Sequence, residues 1–517
     1  MEARVEFRKK KFLWNSFSGV ATRILSITVL VWMHQYLLRR IEPAEYAIYA
    51  VVVSVLAFAP VIIELAAGGP RRYIIEAYAR GDDDRIGDIL RSITPTLLGF
   101  SVALFAFGSF VALRVEHVLT IPPEYVDQAR WMVFLLAISL SAQLGTAPFV
   151  VGFHVRQRFA LLNGIFFASE LLRIALLMVL LIGVSPRVLW VVVASVVSTG
   201  LSLIVQWVVS HRLLPSLRFR LGRVRWDILR EQFHFGGWTS LGNFAVMIRQ
   251  AAPAIVLNKL ATPVDVAAFH LGALPFRQLN QLVAKATEPI QPAITTMHAL
   301  NQQDEMREAY LRGTRLQMWA TLLPSCLLMG FAAEVIDLYV GDRYAKAATV
   351  LAVMFASFPV MASTNMLYRV VIATARVKGF SIANLLLNLM LLGLMLYFSW
   401  ADYGAEGIAI AFLITSAGAA CFWPYGNRLV GTRFRDFLRE ALVPGTLPFL
   451  AGLGAAYAWS AHFAPASWLA LFVGFTAASL AYLLVLVPCL HASDRADLAR
   501  IVQGVLARAR PSAADAR

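Results

Sequence analysis

The feature that most limits what this chain can fold into is a series of fourteen apolar segments, each long enough to cross a bilayer. A helix needs about 20 mainly apolar residues to span the hydrocarbon core. The segments fall at 12–36, 46–66, 92–113, 131–153, 159–182, 188–210, 236–260, 266–295, 314–336, 347–375, 379–400, 404–426, 442–462 and 466–490. Only 15% of the residues are charged, against about a quarter in soluble domains. We therefore predict an all-α polytopic membrane protein.

Lysine and arginine are distributed unequally between alternate connections. If the N-terminus is cytoplasmic, the cytoplasmic connections hold roughly four times as many of these residues as the external ones, as the positive-inside rule requires. The largest group, Arg212 to Arg230, follows the sixth segment. We predict that both termini are cytoplasmic. The same asymmetry accounts for most of the net charge of +15, so nucleic acid is not an expected partner.

A weak internal repeat relates segments one to six to segments seven to twelve. Pro43 and Glu45 after the first segment match Pro263 and Asp265 after the seventh. Each residue lies 220 positions before its match. Two six-helix bundles of equal orientation are related by a pseudo-two-fold axis along the membrane normal and enclose a cavity. The predicted domains are two bundles joined by a basic amphipathic linker, then helices 13 and 14 and a cytoplasmic tail: 1–210, 211–235, 236–430, 431–493 and 494–517.

Ionisable residues occur within the apolar segments, where they are costly unless they face protein or water. The cations predicted to line a substrate-binding cavity are Arg23, Arg173, Arg249, Arg277, Lys285 and Arg369. The acids are Glu170 and Glu288, and the predicted polar lining is Asn163, Asn243, Gln250, Gln281, Asn384 and Asn388. Three alternatives stay open. Arg369 snorkels to the interface, Glu170 and Arg173 form a structural ion pair, and the asparagines bond neighbouring helices.

The excess of cations indicates an anionic substrate. A cationic cavity of low dielectric attracts anions, and arginine suits phosphate because it forms bidentate hydrogen bonds. A carrier of organic cations would need carboxylates instead. No phosphate-binding loop of an ATPase is present in the sequence, so ATP is not expected to drive the protein directly.

These features, with the Gly69 to Tyr73 segment running into Gly81 to Asp84, resemble the multidrug/oligosaccharidyl-lipid/polysaccharide exporter superfamily, and within it the Wzx-type polysaccharide flippases. The resemblance implies a non-enzymatic flippase in the bacterial cytoplasmic (inner) membrane. It would translocate a polyprenyl-diphosphate-linked oligosaccharide by alternating access for export of a surface polysaccharide. It also implies contact with a polysaccharide polymerase and export machinery. No cofactor is expected, and Glu170 or Glu288 is the candidate for proton or sodium coupling.

Three other functions fit parts of the sequence. A multidrug or small-molecule antiporter of the same superfamily would have a cavity of opposite charge. A lipid II flippase would share the architecture and differ in substrate. A membrane glycosyltransferase or polymerase would usually present a large external loop, and the connections here are short.

Overall fold

The computed structural model describes residues 29, 31–55, 74, 77, 78, 82–156, 158–215, 225–287, 290, 294, 297, 298, 300–374, 376–491, 494 and 495. Every regular element among them is helical, which confirms the predicted all-α class. Apolar runs favour helices in a membrane because a helix satisfies all backbone hydrogen bonds within one segment. Side-chain caps mark the starts of some helices. The Asp82 carboxylate accepts from the backbone N of Arg85 at 2.9 Å.

The helices are numbered along the chain. In the first half they are α1 (31–38), α2 (Pro43–Val55), α3 (Asp83–Leu113), α4 (Val126–Thr146), α5 (Phe159–Gly183), α6 (Leu189–Leu213), α7 (Trp226–Leu260) and α8 (Pro263–Thr287). In the second half they are α9 (Gln303–Gly330), α10 (Ala332–Val340), α11 (Lys346–Ala356), α12 (Phe358–Ala373), α13 (Val377–Trp400), α14 (Gly404–Gly418), α15 (Trp423–Leu429), α16 (Val443–Phe463) and α17 (Trp468–Cys489).

Many of these helices can cross a membrane. Eight in the described part of the chain are long and apolar enough, and the total reaches ten if the pairs α9–α10 and α11–α12, bent by 71° and 43°, are each one span. The protein is therefore a multi-pass membrane protein. The number fourteen stays a prediction, because the first two predicted spans lie partly outside the described residues. Polar residues also interrupt α7 and α8, which are not among the eight.

The predicted repeat is visible in where helices begin. The starts of three helix pairs share one offset along the chain: Pro43 and Pro263, Asp83 and Gln303, and Val126 and Lys346. α7 begins at Trp226 and continues without a break to Leu260. Residues 226–235 of the predicted linker are therefore the first turns of α7. The domain boundaries remain predictions, and only Asp494 and Arg495 of the tail are described.

Two buried carboxylates give the repeat a structural basis. Glu45 at the start of α2 accepts from Gln128 Nε2 at 2.7 Å and from the backbone N of Val188 at 3.1 Å. It thereby joins the starts of α2, α4 and α6. Asp265 at the start of α8 accepts from Lys346 Nζ at 2.8 Å and from the backbone N of Ala405 at 3.4 Å. It joins the starts of α8, α11 and α14. We call these the Glu45 clasp and the Asp265 clasp.

The chain forms two compact units. The first comprises residues 1–282, 339–350 and 378–415, and the second comprises 283–338, 351–377 and 416–517. Both clasps belong to the first unit. In the second unit α9, α16 and α17 pack closely. Trp319 Nε1 donates to the Pro444 carbonyl at 2.8 Å, and the Tyr482 hydroxyl donates to the Trp319 carbonyl at 3.0 Å.

A buried charge cluster links α9 to the residues that follow α17. Arg315 donates to Asp494 from Nη2 at 2.5 Å, and Arg312 donates to the same carboxylate from Nε at 3.0 Å. The side chains of Arg315 and Asp494 are 4% and 2% exposed. Such a pair is stable only when both partners are present, because a single buried charge is not compensated. It fixes the residues after α17 to α9.

Candidate functional site

The predicted site residues are described to different extents. Arg23 and Glu288 lie outside the described residues, and the side chains of Lys285 and Asn243 also lie outside them although both residues are helical. Arg173, Arg249 and Arg277 belong to the first unit, whereas Arg369 belongs to the second. The site is therefore built first from the three arginines that share a unit.

A cluster of two histidines and two tyrosines occupies the first unit where α1, α2 and α8 meet. His34 Nδ1 and the Tyr46 hydroxyl are 2.7 Å apart. The ring of His270 lies 5.6 Å from that of His34 and 6.1 Å from that of Tyr49, centroid to centroid. All four side chains are buried or nearly so. We call this group the His–Tyr cluster; it lies near the helix ends that the charge distribution places outside.

Arg277 is bonded to this cluster. Its Nη2 donates to His270 Nδ1 at 3.2 Å and to the His270 carbonyl at 3.0 Å. The two residues are seven apart on α8, and the arginine side chain runs back toward the helix start, as helical side chains do. A guanidinium has donors and no acceptor. His270 Nδ1 therefore accepts, and the His270 imidazole is neutral in this arrangement.

Arg173 forms the ion pair with Glu170 that the sequence left open. Its Nε donates to Glu170 Oε2 at 3.0 Å, and Nη2 contacts the other carboxylate oxygen. The two side chains are 16% and 17% exposed. Arg173 nevertheless lies close enough to the His–Tyr cluster for its charge to act on His34 and Tyr49. The structure thus brings Arg173 and Arg277 to the same cluster from α5 and α8.

Arg249 is the least compensated of the three arginines. Its Cζ lies 5.4 Å from the centroid of the Phe412 ring, which stacks on Phe269 at 6.2 Å. A cation over an aromatic face is attracted to it, though less than to an anion. The Arg249 Nε is buried and has no hydrogen-bond partner among the residues that the structure describes. In the described part of the chain Arg249 forms no ion pair.

The depth of these arginines is similar. Arg173, Arg249 and Arg277 lie on α5, α7 and α8, whose predicted external ends are Gly183, Leu260 and Pro263. About three to four helical turns separate each arginine from its external end, which places the Cα atoms about 15–20 Å from those ends. This depth is near the middle of a hydrocarbon core about 30 Å thick. Among the described residues, these three guanidinium groups have one partner carboxylate, Glu170, which leaves an excess of positive charge at a depth where charge is costly.

Arg369 has a different environment, in the second unit. Its Nη2 donates to Thr287 Oγ1 at 3.2 Å and to the Ala284 carbonyl at 3.4 Å. These bonds hold its guanidinium against the end of α8. Its assignment to the cavity stays a prediction.

The predicted polar lining is only partly brought together. Asn163 is half-buried, whereas Gln250 and Gln281 are exposed. Asn388 is buried and donates to the Asn384 carbonyl at 2.7 Å, so the bond seen between these two asparagines runs along α13 rather than across to another helix. Their role in a cavity stays a prediction.

The His–Tyr cluster was not predicted. Lysine, arginine and glutamate inside apolar segments are conspicuous in a sequence, whereas tyrosine is common near membrane interfaces and histidine can be neutral at physiological pH. A usable signal was present, since Tyr46 and Tyr49 share a face of α2 and His270 lies two turns before Arg277. Among the described residues no group of three His, Cys, Asp or Glu side chains could hold a metal ion, and Cys326, Cys421 and Cys489 are free thiols.

Comparison with known proteins identifies the family. Residues 9–298 match the family described as "Polysaccharide biosynthesis protein". The chain belongs to this family. A curated relative, the uncharacterized membrane protein EpsK of Bacillus subtilis (strain 168), is 21% identical over 445 residues, which cover 84% of this chain and 86% of EpsK.

Solved structures show the fold of this family member. The lipid II flippase MurJ, in an inward closed conformation, aligns with a TM-score of 0.69 and 12% identity over 92% of this chain and 98% of MurJ. An inward-facing multidrug resistance MATE transporter of the MOP superfamily aligns with a TM-score of 0.59 and 15% identity over 80% and 98% of the two chains. A MOP superfamily transporter from Pyrococcus furiosus Vc1 (DSM3638), reported with a binding pocket of reverse polarity, aligns with a TM-score of 0.58 and 13% identity over 81% and 94%. The predicted resemblance to this superfamily is confirmed.

Proposed function

We propose that this polysaccharide biosynthesis protein is a flippase that carries a polyprenyl-diphosphate-linked oligosaccharide across the cytoplasmic membrane by alternating access. The proposal rests mainly on the environment of Arg249. Its guanidinium lies at mid-membrane depth, with a buried Nε that has no acceptor and, among the described residues, no ion pair. A buried cation at such depth is costly, and ionisable residues there typically mark the site of an anionic substrate or partner. A diphosphate offers both charge and planar sets of acceptor oxygens.

Arg277 and Arg173 extend the binding surface. Both bonds from Arg277 to the described residues come from Nη2, which leaves the donors on Nε and Nη1 for a ligand. Arg173 is shared with Glu170, and protonation of that carboxylate would free its guanidinium. Glu170 is thus a candidate for ion coupling with a stated effect, and Glu288 remains the other candidate. In this proposal the oligosaccharide follows the diphosphate through the cavity while the polyprenyl chain stays in lipid.

The membrane itself favours export of an anion. Each negative charge that moves outward across an inside-negative membrane gains about 2.3 kcal/mol per 100 mV. The proposed orientation has both termini in the cytoplasm and follows from the bias of arginine and lysine. It directs the basic start of α7, with Arg225 and Arg230 exposed, to the anionic inner leaflet, where basic residues are attracted.

The proposal is tested by translocation in reconstituted vesicles. A polyprenyl-diphosphate oligosaccharide with a labelled sugar is added to one leaflet, and its arrival in the other is followed with a membrane-impermeant enzyme. Wild type and Arg249→Lys should translocate it, whereas Arg249→Ala and Arg277→Ala should be slowed by at least about tenfold, or about 1.4 kcal/mol. Arg130→Ala, which removes an exposed arginine paired with Glu116, is the matched control and should translocate normally.

The other functions are outcomes of the same assay. Translocation of lipid II in preference to an oligosaccharide on the same carrier would assign the substrate of a lipid II flippase. Uptake of organic cations, undiminished by Arg249→Ala, would replace the proposal with an antiporter. Normal translocation of the diphosphate-linked sugar by correctly folded Arg249→Ala and Arg277→Ala would contradict the cationic site.

A further inference from the structure

The two repeats contact one another at the predicted external ends of helices in the first unit. The Asn258 side chain accepts from the backbone N of Thr120 at 3.0 Å and donates to its carbonyl at 3.1 Å. The Tyr339 hydroxyl donates to the Val31 carbonyl at 2.5 Å, and Arg39 Nε donates to the Tyr339 carbonyl at 3.2 Å. These contacts hold the two repeats together at these ends, and we refer to this arrangement as closed.

The His–Tyr cluster belongs to the same closure. His34, Tyr46 and Tyr49 come from the first repeat and His270 from the second, and their rings are in contact across the boundary. We call the cluster together with the Asn258–Thr120 and Tyr339–Val31 contacts the external gate. Opening this side for release of a substrate requires the rings of His34 and His270 to separate.

The charge state of the two histidines is restricted while the gate is closed. In the described part of the chain the titratable and charged groups that act on them are Tyr46, Tyr49, Arg277 and Arg173, with Tyr339 and Tyr344 acting on Tyr46. The Glu170 carboxylate is already paired with Arg173. An imidazolium at His34 would therefore face the guanidinium groups of Arg277 and Arg173, and one at His270 would face that of Arg277, in a low dielectric where like charges repel strongly.

Protonation would also break a bond that the closed gate uses. His270 Nδ1 accepts from Arg277 at 3.2 Å, and a protonated imidazole has no acceptor. At His34 the Tyr46 hydroxyl, 2.7 Å away, can accept from a protonated ring nitrogen, so there the charges of the two arginines oppose protonation. Both effects act in one direction: they favour the neutral pair in the closed gate and a charged pair in an open one.

We propose that His34 and His270 form a proton-binding site, and that uptake of a proton by this pair opens the external gate. The closed structure binds fewer protons than the open one, so lowering the pH shifts the population toward the open gate. In the context of the proposed function, on which this part rests, a diphosphate on Arg277 and Arg173 would supply the negative charge that an imidazolium lacks. Substrate and proton would then bind cooperatively.

The gate can be followed without any substrate. Spin labels are placed at Glu124→Cys and Val264→Cys, exposed positions of the two repeats at the external end, with Cys421 and Cys489 replaced by Ser and the buried Cys326 by Ala. Their distance is measured by double electron–electron resonance in purified full-length protein at about pH 8 and about pH 5, the interval in which histidine changes charge. Wild type should shift to longer distances at the lower pH.

Variants separate the histidines from other groups. His34→Gln and His270→Gln, made singly and together, keep an acceptor and cannot be charged, so the double variant should show the short distance at both pH values. His462→Gln, which removes an exposed histidine on α16, should keep the wild-type shift. The proposal is overturned if wild type shows one distance at both pH values, or if the double variant still shifts. Because no substrate is present, these outcomes are independent of whether the translocation assay succeeds.

Discussion

Arg249 differs from the other described arginines of the site because, in the described part of the chain, only the Phe412 ring compensates its charge. Its Nε has no acceptor, and an unsatisfied buried group costs roughly 1–3 kcal/mol. We expect Arg249→Met to raise the thermal unfolding temperature in detergent by removing this cost, while translocation falls by at least about tenfold. If Arg249 served only the fold, Arg249→Met would lower both the unfolding temperature and the rate of translocation. A lower unfolding temperature in Arg249→Met would therefore contradict a binding role.

Arg173 should respond in the opposite way. Arg173→Met leaves Glu170 as a poorly compensated charge, and loss of one partner from a buried pair costs about 3–5 kcal/mol. Because these side chains keep about one sixth of their exposure, we expect the lower end of that range. Thermal unfolding of Arg173→Met, Glu170→Gln and the double variant forms a mutant cycle. The double variant should be more stable than Arg173→Met alone, and simple additivity would show that the pair contributes nothing.

Individual residues were predictable where their chemistry conflicts with the membrane. A charged side chain in an apolar segment marks Arg173, Arg249 and Arg277 at once. Their partners could not be predicted, because the bond from Arg277 to His270 depends on the direction of a long side chain, and the Phe412 ring beside Arg249 comes from α14, far along the chain. The three-residue spacing of Glu170 and Arg173 allowed an ion pair between them, and only the structure could decide whether it forms.

At the scale of the element, the Asp265 clasp gives a pH dependence with a definite sign. Burial would raise the pKa of the Asp265 carboxyl, but hydrogen bonds from Lys346, Thr262 and the backbone N of Ala405 outweigh it and hold this pKa below its usual value. A lowered pKa in the folded state means that the stabilisation is present above the unfolded value, about 3.9, and is lost as the pH falls through the folded value.

We expect Asp265→Asn to lower the unfolding temperature near neutral pH and to reduce its fall in acid, measured by thermal unfolding between about pH 3 and pH 7. The clasp does not titrate between about pH 5 and pH 8. Asp265→Asn should therefore keep the pH response proposed for the external gate. Identical acid profiles for the variant and wild type would show that the Asp265 contacts do not stabilise the fold.

The attachment of α17 to α9 offers a second test at this scale. Asp494→Ala leaves Arg315 buried without its carboxylate, so we expect a loss of about 3–5 kcal/mol in the free energy of unfolding. Asp436→Ala removes a carboxylate paired with Arg307, in a pair whose side chains are both about a third exposed, and exposed pairs contribute about 0–1 kcal/mol. Equal effects in the two variants would argue against a special role for the buried pair.

Elements were predictable to the extent that period and length determine them. The apolar runs predicted the helices that pass as spans, and the matching Pro43 and Pro263 turns predicted a repeat whose helix starts recur at a constant offset. Breaks were harder to predict. The chain bends by 71° between Gly330 and Ala332. No proline lies at this bend, since Pro324 is inside α9, and the apolar sequence around it does not indicate a break.

At the scale of the whole molecule, the sequence and the fold agree on a membrane protein of the polysaccharide biosynthesis family with the architecture of the MOP superfamily. The function depends on which substrate the arginines bind. Similarity of fold at 12% and 15% identity does not identify that substrate, so the chemistry of the site must indicate it. If the cargo is a diphosphate, its two or more charges make translocation depend on voltage. In vesicles an inside-negative potential should accelerate outward movement, and reversing the potential should slow it.

If the mid-membrane arginines hold a diphosphate, direct binding to purified protein should show it. Purified protein is titrated with a short-chain polyprenyl diphosphate and, separately, with the uncharged polyprenol of the same length. We expect the diphosphate to bind at least about tenfold more tightly than the alcohol and Arg249→Met to remove this difference. Equal affinity of wild type for the two lipids, or an unchanged preference in Arg249→Met, would contradict it.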